Sequence, residues 1–92
     1  MPTPDKQLCS LRTAQQVYER EFAHCQRSPE WKAGALRGLH LAAGLAPAAS
    51  PYASGTAQDD AWGSGNLVGA AEWKWRAERG QLPGQPGWAE QA

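Results

Sequence analysis

Apolar side chains near the start of the chain recur every three or four residues, which is the spacing of one face of a helix. The series is Leu8, Leu11, Gln15, Tyr18, Phe22 and Cys25. Thr3 can cap the first amides, and Pro4 suits the first helical position. The pattern predicts an amphipathic helix over about residues 4–26.

The stretch SPEW at residues 28–31 predicts the start of a second helix. Ser28 is a favoured capping residue, and the proline and glutamate after it are typical of a first helical turn. An apolar stripe begins at Trp31, and Gly44 is a typical helix stop. We therefore predict a helix over about residues 29–44.

The next segment, APAASPYASG at residues 46–55, is broken by prolines and predicts a connector that contains Pro51 and Tyr52. Thr56 then caps a third helix over about residues 57–79. Asp59 and Asp60 fall in its first turn, where negative charge favours the helix dipole. Adjacent helical residues point about 100° apart, so we interpret this pair as structural and not as an acid and base.

Two helices carry glycines four residues apart, at Gly34 and Gly38 and at Gly65 and Gly69. Because each interior glycine costs about 1 kcal/mol relative to alanine, the pattern indicates close approach of the two backbones. Tolerance of Gly34 and Gly38 on an exposed face is the alternative. Tryptophans would fill the wider gaps beside the glycines. The predicted structural set is Ser28, Trp31, Gly34, Gly38, Pro51, Trp62, Gly65, Gly69 and Trp73.

The composition supports an all-α fold, since the chain has no isoleucine and only Val17 and Val68 as β-branched apolar residues. We predict one small three-helix domain, residues 1–79, built on a helical hairpin with a proline-containing connector. Residues 80–92 are rich in glycine, proline and glutamine and predict a flexible tail. Trp88 in that tail could dock on the domain, contact a partner or do neither. No internal repeat is evident.

The formal net charge is zero, which argues against a strong polyanion binder. No run approaches the roughly 20 apolar residues that span a bilayer, and the N-terminus lacks an apolar signal core. We therefore expect a cytoplasmic protein without a membrane partner. Cys9 and Cys25 would lie about 24 Å apart along one helix, so reduced thiols are the expectation, although their pairing stays open.

The sequence offers no convincing catalytic, metal or cofactor site. The sulfur and imidazole groups include no pair at zinc-site spacing. GSGNLVG at residues 63–69 is glycine-rich, but no strand precedes it as in a phosphate-binding turn. EWKWRAER at residues 72–79 mixes aromatics and cations, yet its glutamates nearly cancel the charge. We predict a non-catalytic protein.

Residues 31–73 resemble the bacterial ribosome modulation factor family, which are small two-helix proteins. The matching positions are Ala33, Gly34, Gly38, Pro51, Tyr52, Gln58, Trp62 and Gly65. The resemblance implies a non-enzymatic protein that binds the small ribosomal subunit. Ser50 and Asn66 depart from the pattern, and the strong positive charge of the family is absent. The start RSPEWKAG is also similar to small phage or prophage proteins.

Five tryptophans are more than the core of a small domain can use, and aromatic residues concentrate at binding hot spots. The leading hypothesis is a phage or mobile-element protein that binds and inhibits a host protein or nucleoprotein complex, an anti-defence role such as that of an anti-CRISPR. Ribosome or rRNA binding is the alternative, and homodimerisation stays open. The predicted contacts are Tyr52, Trp75 and Trp88, with Arg20, Arg27, Lys32 and Arg37 as steering charges.

Overall fold

The computed structural model describes residues 4–45 and 48–89, with side chains from Ser10 to Trp88. Four helices lie in these ranges: α1 (Pro4–Glu21), α2 (Pro29–Ala42), α3 (Ala57–Glu78) and the short α4 (Pro86–Ala89). No strand occurs in the described ranges, so the all-α prediction is confirmed. Within them, no helix combines the length and the apolar character needed to cross a membrane.

Two helices begin where the capping residues predict. The Ser28 hydroxyl accepts a hydrogen bond from the Trp31 amide at 3.2 Å, and Pro29 occupies the first position of α2. The Thr56 hydroxyl accepts from the Asp59 amide at 3.1 Å at the start of α3. Each cap satisfies an amide that has no partner inside its helix.

The first helix ends earlier than predicted, at Glu21 instead of Gln26. The amides of Phe22 and Ala23 both donate to the Tyr18 carbonyl, which closes the last turn. The chain then turns so that the ring of Phe22 meets that of Trp31 edge to face, with 5.7 Å between the centroids. The sequence pattern continued to Cys25 because that residue also packs on the core, but from the turn.

Glycines end α2 and α3 in the same way. Gly44 has φ of 86° and Gly80 has φ of 65°, a left-handed conformation that costs glycine little. After α2, the Leu45 amide donates to the His40 carbonyl at 3.0 Å; after α3, the Gln81 amide donates to the Arg76 carbonyl at 2.9 Å. Both ends are Schellman motifs, which reverse the chain sharply.

The α2 and α3 backbones touch at the four predicted glycines. A Cβ on Gly34 would lie 2.7 Å from the Trp62 carbonyl carbon, and one on Gly65 would lie 2.9 Å from that of Trp31. One turn further on, Gly38 meets the backbone of Asn66 and Gly69 meets that of Ala35. These residues approach so closely that only hydrogen fits at each position.

The order of these contacts shows how the chain is connected. Contacts advance from Trp31 and Gly34 to Ala35 and Gly38 on α2 while they advance from Trp62 to Gly69 on α3. The two helices therefore run in the same direction and do not form the antiparallel hairpin expected from the sequence, because the chain returns to the start of α2 before α3 begins. The connector joins these helices, and its residues 48–56 return along α2; Arg37 Nε donates a 3.2 Å hydrogen bond to the Ala48 carbonyl there.

The apolar core lies between α1 and α2. Its buried members are Ala14, Val17, Phe22, Trp31, Ala35 and Leu39. Trp73 from α3 and Leu82 and Trp88 from the C-terminal segment pack against its margin, half-buried. Trp62 is also half-buried, so of the three tryptophans predicted to fill the interior only Trp31 is buried, because the glycine contacts leave little space between α2 and α3.

Candidate partner-binding surface

Helix α3 has two dissimilar sides. At about 100° per residue, Gly65 and Gly69 fall on the side that meets α2. Leu67 lies on the opposite side, flanked by Ser64, Val68, Ala71 and Trp75. We call these five residues the α3 face. Leu67 is 72% exposed, Trp75 44% and Val68 41%, which is unusual exposure for three large apolar side chains on one helix.

A groove of about 700 Å³ adjoins the α3 face. Its apolar part is formed by Val68, Ala71 and Trp75, and its polar edge by Glu21 of α1 with Glu72 and Arg76 of α3. The groove therefore offers an apolar floor beside ionised groups. Such a surface can bind an apolar side chain and a polar neighbour together.

Trp75 has the exposure predicted for a partner contact. The guanidinium of Arg79, one turn later, lies 4.3 Å from the centre of its ring and donates to the Trp75 carbonyl at 3.3 Å. This cation and ring contact holds the indole against the helix and leaves 44% of the residue exposed.

Trp88 docks on the domain. The Arg20 guanidinium lies 3.2 Å from the centre of its ring and donates to the Trp88 carbonyl at 3.0 Å. Arg76 lies 5.4 Å from the same ring. Docking on the domain is one of the three roles that the sequence left open for Trp88, and it is the one seen in the structure. Residues 90–92 of the predicted flexible tail lie outside the described residues.

The other predicted steering cations also make contacts within the chain. Lys32 donates to the Ala23 carbonyl at 2.9 Å. The Arg27 guanidinium lies 5.0 Å from the Trp31 ring. Arg37 donates to the Asn66 side chain at 3.0 Å and lies 5.3 Å from the Trp62 ring. These cations join segments of the fold, and they do not converge on Trp75.

The connector and the start of α3 form a hydrogen-bonded joint. Ser50 donates to the Asp59 carboxylate at 2.8 Å and accepts from the Tyr52 amide at 3.2 Å. The Gly55 amide reaches the same carboxylate at 3.4 Å. Asp59 therefore has the structural role predicted for it. Tyr52 is half-buried in this joint and is not part of the α3 face.

Sequence reasoning missed the most buried charge in the described part of the chain, Arg76, which is 3% exposed. Its Nε donates to Glu72 at 2.7 Å, its Nη2 to Glu21, and its Nη1 to the Gln81 carbonyl at 3.2 Å. One guanidinium thus joins α1, α3 and the C-terminal segment. The signal was available, because Arg76 continues the buried side of α3 seven residues after Gly69.

A second, smaller groove of about 260 Å³ lies between α2 and the connector. Its lining includes His40, and burial lowers the pKa of that imidazole below its ordinary value of 6.5. Cys25 is a free thiol. The described residues bring together no group of three or more histidine, cysteine or acidic side chains that could hold a metal.

Comparison with known proteins identifies no relative: the chain matches no family model, no curated protein and no solved structure.

Proposed function

We propose that this is a non-catalytic interaction protein, encoded by a phage or another mobile element, that binds a host protein or nucleoprotein complex and inhibits or modulates it. An anti-defence role, for example that of an anti-CRISPR, falls within this class. The observation that carries the proposal is the α3 face, where Leu67, Val68 and Trp75 are exposed along two turns of one helix.

Exposed apolar groups that form a patch mark interaction sites more often than single exposed residues do. Leu67 and Val68 are adjacent, and Trp75 follows Val68 after two turns on the same side of α3. Trp75 also has the character of a hot-spot residue, because an indole contributes a large apolar area with few rotatable bonds.

The charges favour a protein surface over bare nucleic acid as the main contact. The net charge is zero, so little counterion release is available to drive polyanion binding. Arg20, Lys32 and Arg37 are each hydrogen-bonded within the chain, and moving them to phosphates would break those contacts.

The test is affinity capture from the native host with four forms of the full chain: wild type, Trp75→Ala, Leu67→Glu and the control Leu41→Glu. Leu41 is 46% exposed on α2 and lines neither groove. A partner retained by wild type and the control but lost by the two α3 variants is the expected result. If all four folded chains retain the partner equally, the α3 face is not the binding surface.

Binding to the small ribosomal subunit is the second candidate. It is favoured by one observation: Gly34, Gly38 and Gly65, which carry much of the family resemblance, all lie at the α2 and α3 contact. The resemblance therefore marks one packed unit. This candidate requires cosedimentation with ribosomes that weakens steeply with salt. No cosedimentation at low salt would reject it.

A further inference from the structure

The glycine contacts expose a short repeat in the sequence. Residues 31–38 read WKAGALRG and residues 62–69 read WGSGNLVG, and both match W-x-x-G-x-L-x-G. Adding 31 to a residue number on α2 gives its counterpart on α3, as for Trp31 and Trp62. Only half of the eight positions are identical, so the repeat is hard to see without the contacts.

The contacts obey the same relation. Gly34 meets the Trp62 carbonyl as Gly65 meets the Trp31 carbonyl, and Gly38 meets Asn66 as Gly69 meets Ala35. The two helices are therefore related by an approximate twofold axis that runs along them. Surfaces at matching positions on α2 and α3 are equivalent in geometry.

On α2, one such surface is covered. The smaller groove has α2 on one side, the connector on the other and Trp62 of α3 beside them; its α2 residues are Ala33, Leu36, Arg37 and His40, and its connector residues are Ala48, Ala49 and Pro51. The covering segment has no helical structure at residues 48–50 and consists of small side chains and a proline. It runs antiparallel to α2, because it returns from the end of α2 to the start of α3.

The equivalent surface on α3 consists of Ser64, Leu67, Val68 and Ala71, which belong to the α3 face. No part of the chain that the structure describes covers it as the connector covers α2: Leu36 is half-buried, whereas its counterpart Leu67 is 72% exposed. The α3 version is also more apolar, since Val68 replaces Arg37 and Ala71 replaces His40.

We propose that the α3 face binds an extended, proline-containing segment of a partner protein, which runs antiparallel to α3 as the connector runs antiparallel to α2. This inference rests on the proposed function and names the chemistry of the partner. Extended segments with proline lose little entropy on binding and pack their small side chains against apolar grooves.

The groove of about 700 Å³ beside α3 shares Val68 and Ala71 with the α3 surface that is equivalent to the covered one on α2, and it extends past that surface to Trp75 and Glu21. Glu21 and Glu72 share the guanidinium of Arg76, and Arg79 lies over the Trp75 ring, so two cations and two carboxylates balance around the groove. An apolar segment without charged side chains therefore fits the groove and leaves no charge unpaired.

The first test uses the connector itself as the probe. A synthetic peptide of residues 45–55, LAPAASPYASG, is titrated into the full-length chain labelled with ¹⁵N, and amide chemical shifts are followed. Saturable shifts at Ser64, Leu67, Val68 and Ala71 are expected. Leu67→Glu should weaken binding at least about tenfold, since it removes the burial of one leucine. Leu41→Glu should leave the affinity unchanged.

The proline requirement is tested with the same peptide carrying both Pro47→Ala and Pro51→Ala, which should bind more weakly. Absence of shifts, equal shifts in Leu67→Glu, or equal binding of the two peptides would overturn the proposal. The proposal would also be overturned if, without peptide, the amide chemical shifts of the α3 face changed on dilution of the protein. Such a change would mean that a second copy of the chain covers this face. Sedimentation equilibrium checks that outcome.

The two proposals can fail separately. A host partner captured by wild type and lost by Leu67→Glu, together with no binding of either peptide, would leave the proposed function in place and reject the extended segment. Peptide binding at the α3 face with no host partner would support the groove chemistry and reject the proposed function.

Discussion

Replacing Gly65 by alanine tests the close contact between α2 and α3. Inside an ordinary exposed helix, this change stabilises by about 1 kcal/mol, because alanine is the better helix former. Here the added Cβ would overlap the Trp31 carbonyl oxygen and lie 2.9 Å from both the Trp31 carbonyl carbon and the Ala35 amide nitrogen. Carbon atoms in contact are normally about 3.5–4.0 Å apart.

The helices must therefore separate by at least about 1 Å, because the Trp31 carbonyl oxygen is closer still, and such a gap forfeits at least about a quarter to a half of each dispersion contact. All four glycine contacts lie on the same pair of helices, so they loosen together. Overpacking of a tight interface costs about 3 kcal/mol at the upper end of its usual range. After the helix propensity gain of about 1 kcal/mol, the net destabilisation is about 2 kcal/mol.

For a domain of this size, a loss of about 2 kcal/mol lowers Tm by roughly 8–16 °C. The matched control is Gly63→Ala on the same helix, because no atom lies within 4 Å of a Cβ placed there. That variant should raise Tm by about 4–8 °C. Thermal unfolding followed by circular dichroism measures both. If the two variants shift Tm in the same direction, the close-contact reasoning is refuted.

Three further predictions use the polar contacts. Arg76→Met leaves Glu21 and Glu72 without their cation and should cost about 2–3 kcal/mol, because both carboxylates are partly exposed, at 35% and 26%. Arg76→Lys should not restore the midpoint of urea unfolding, since an ammonium lacks the fork that reaches three acceptors. Trp88→Ala should cost about 1 kcal/mol and speed proteolysis after Gly80, whereas Trp75→Ala should cost under about 0.5 kcal/mol; equal proteolysis rates would contradict the docking. The lowered pKa of His40 means that the folded state binds fewer protons than the unfolded one, so stability is present above 6.5 and falls as the pH drops below it. His40→Gln should reduce the difference in Tm between about pH 7.5 and pH 5.5, and an unchanged difference would contradict the assignment.

Local signals in the sequence were sufficient for the helix starts. The side chains of Ser28 and Thr56 each accept from an amide three residues later, so the start of each helix depends on one turn of chain. The close contact at the glycine pairs could also be predicted, because an interior glycine has a local cost in helix stability that a close neighbour offsets. The end of α1 could not be predicted, because α1 ends at Glu21 only as a result of the turn that brings Phe22 to Trp31.

The candidate site divides in the same way. The exposure of Trp75 was foreseen, because its position on α3 differs from that of the glycines. Leu67 was not singled out, although at about 100° per residue it lies opposite Gly65 and Gly69; whether another segment covers that side of α3 depends on the packing of the whole chain. Helical spacing could have placed Arg76 on the buried side of α3, but its partner Glu21 and the docking site of Trp88 beside Arg20 lie 55 and 68 residues away in the chain, and only the fold brings these groups together.

By itself, the sequence determined an all-α chain, the starts of α2 and α3, and the glycine positions where two backbones touch, because all of these depend on backbone preferences within a few residues. Only the tertiary structure decided that α2 and α3 run in the same direction, that the connector covers one half of the repeat, and that the α3 half stays open. Those outcomes depend on contacts between segments distant in the chain, and local preferences leave such contacts undetermined.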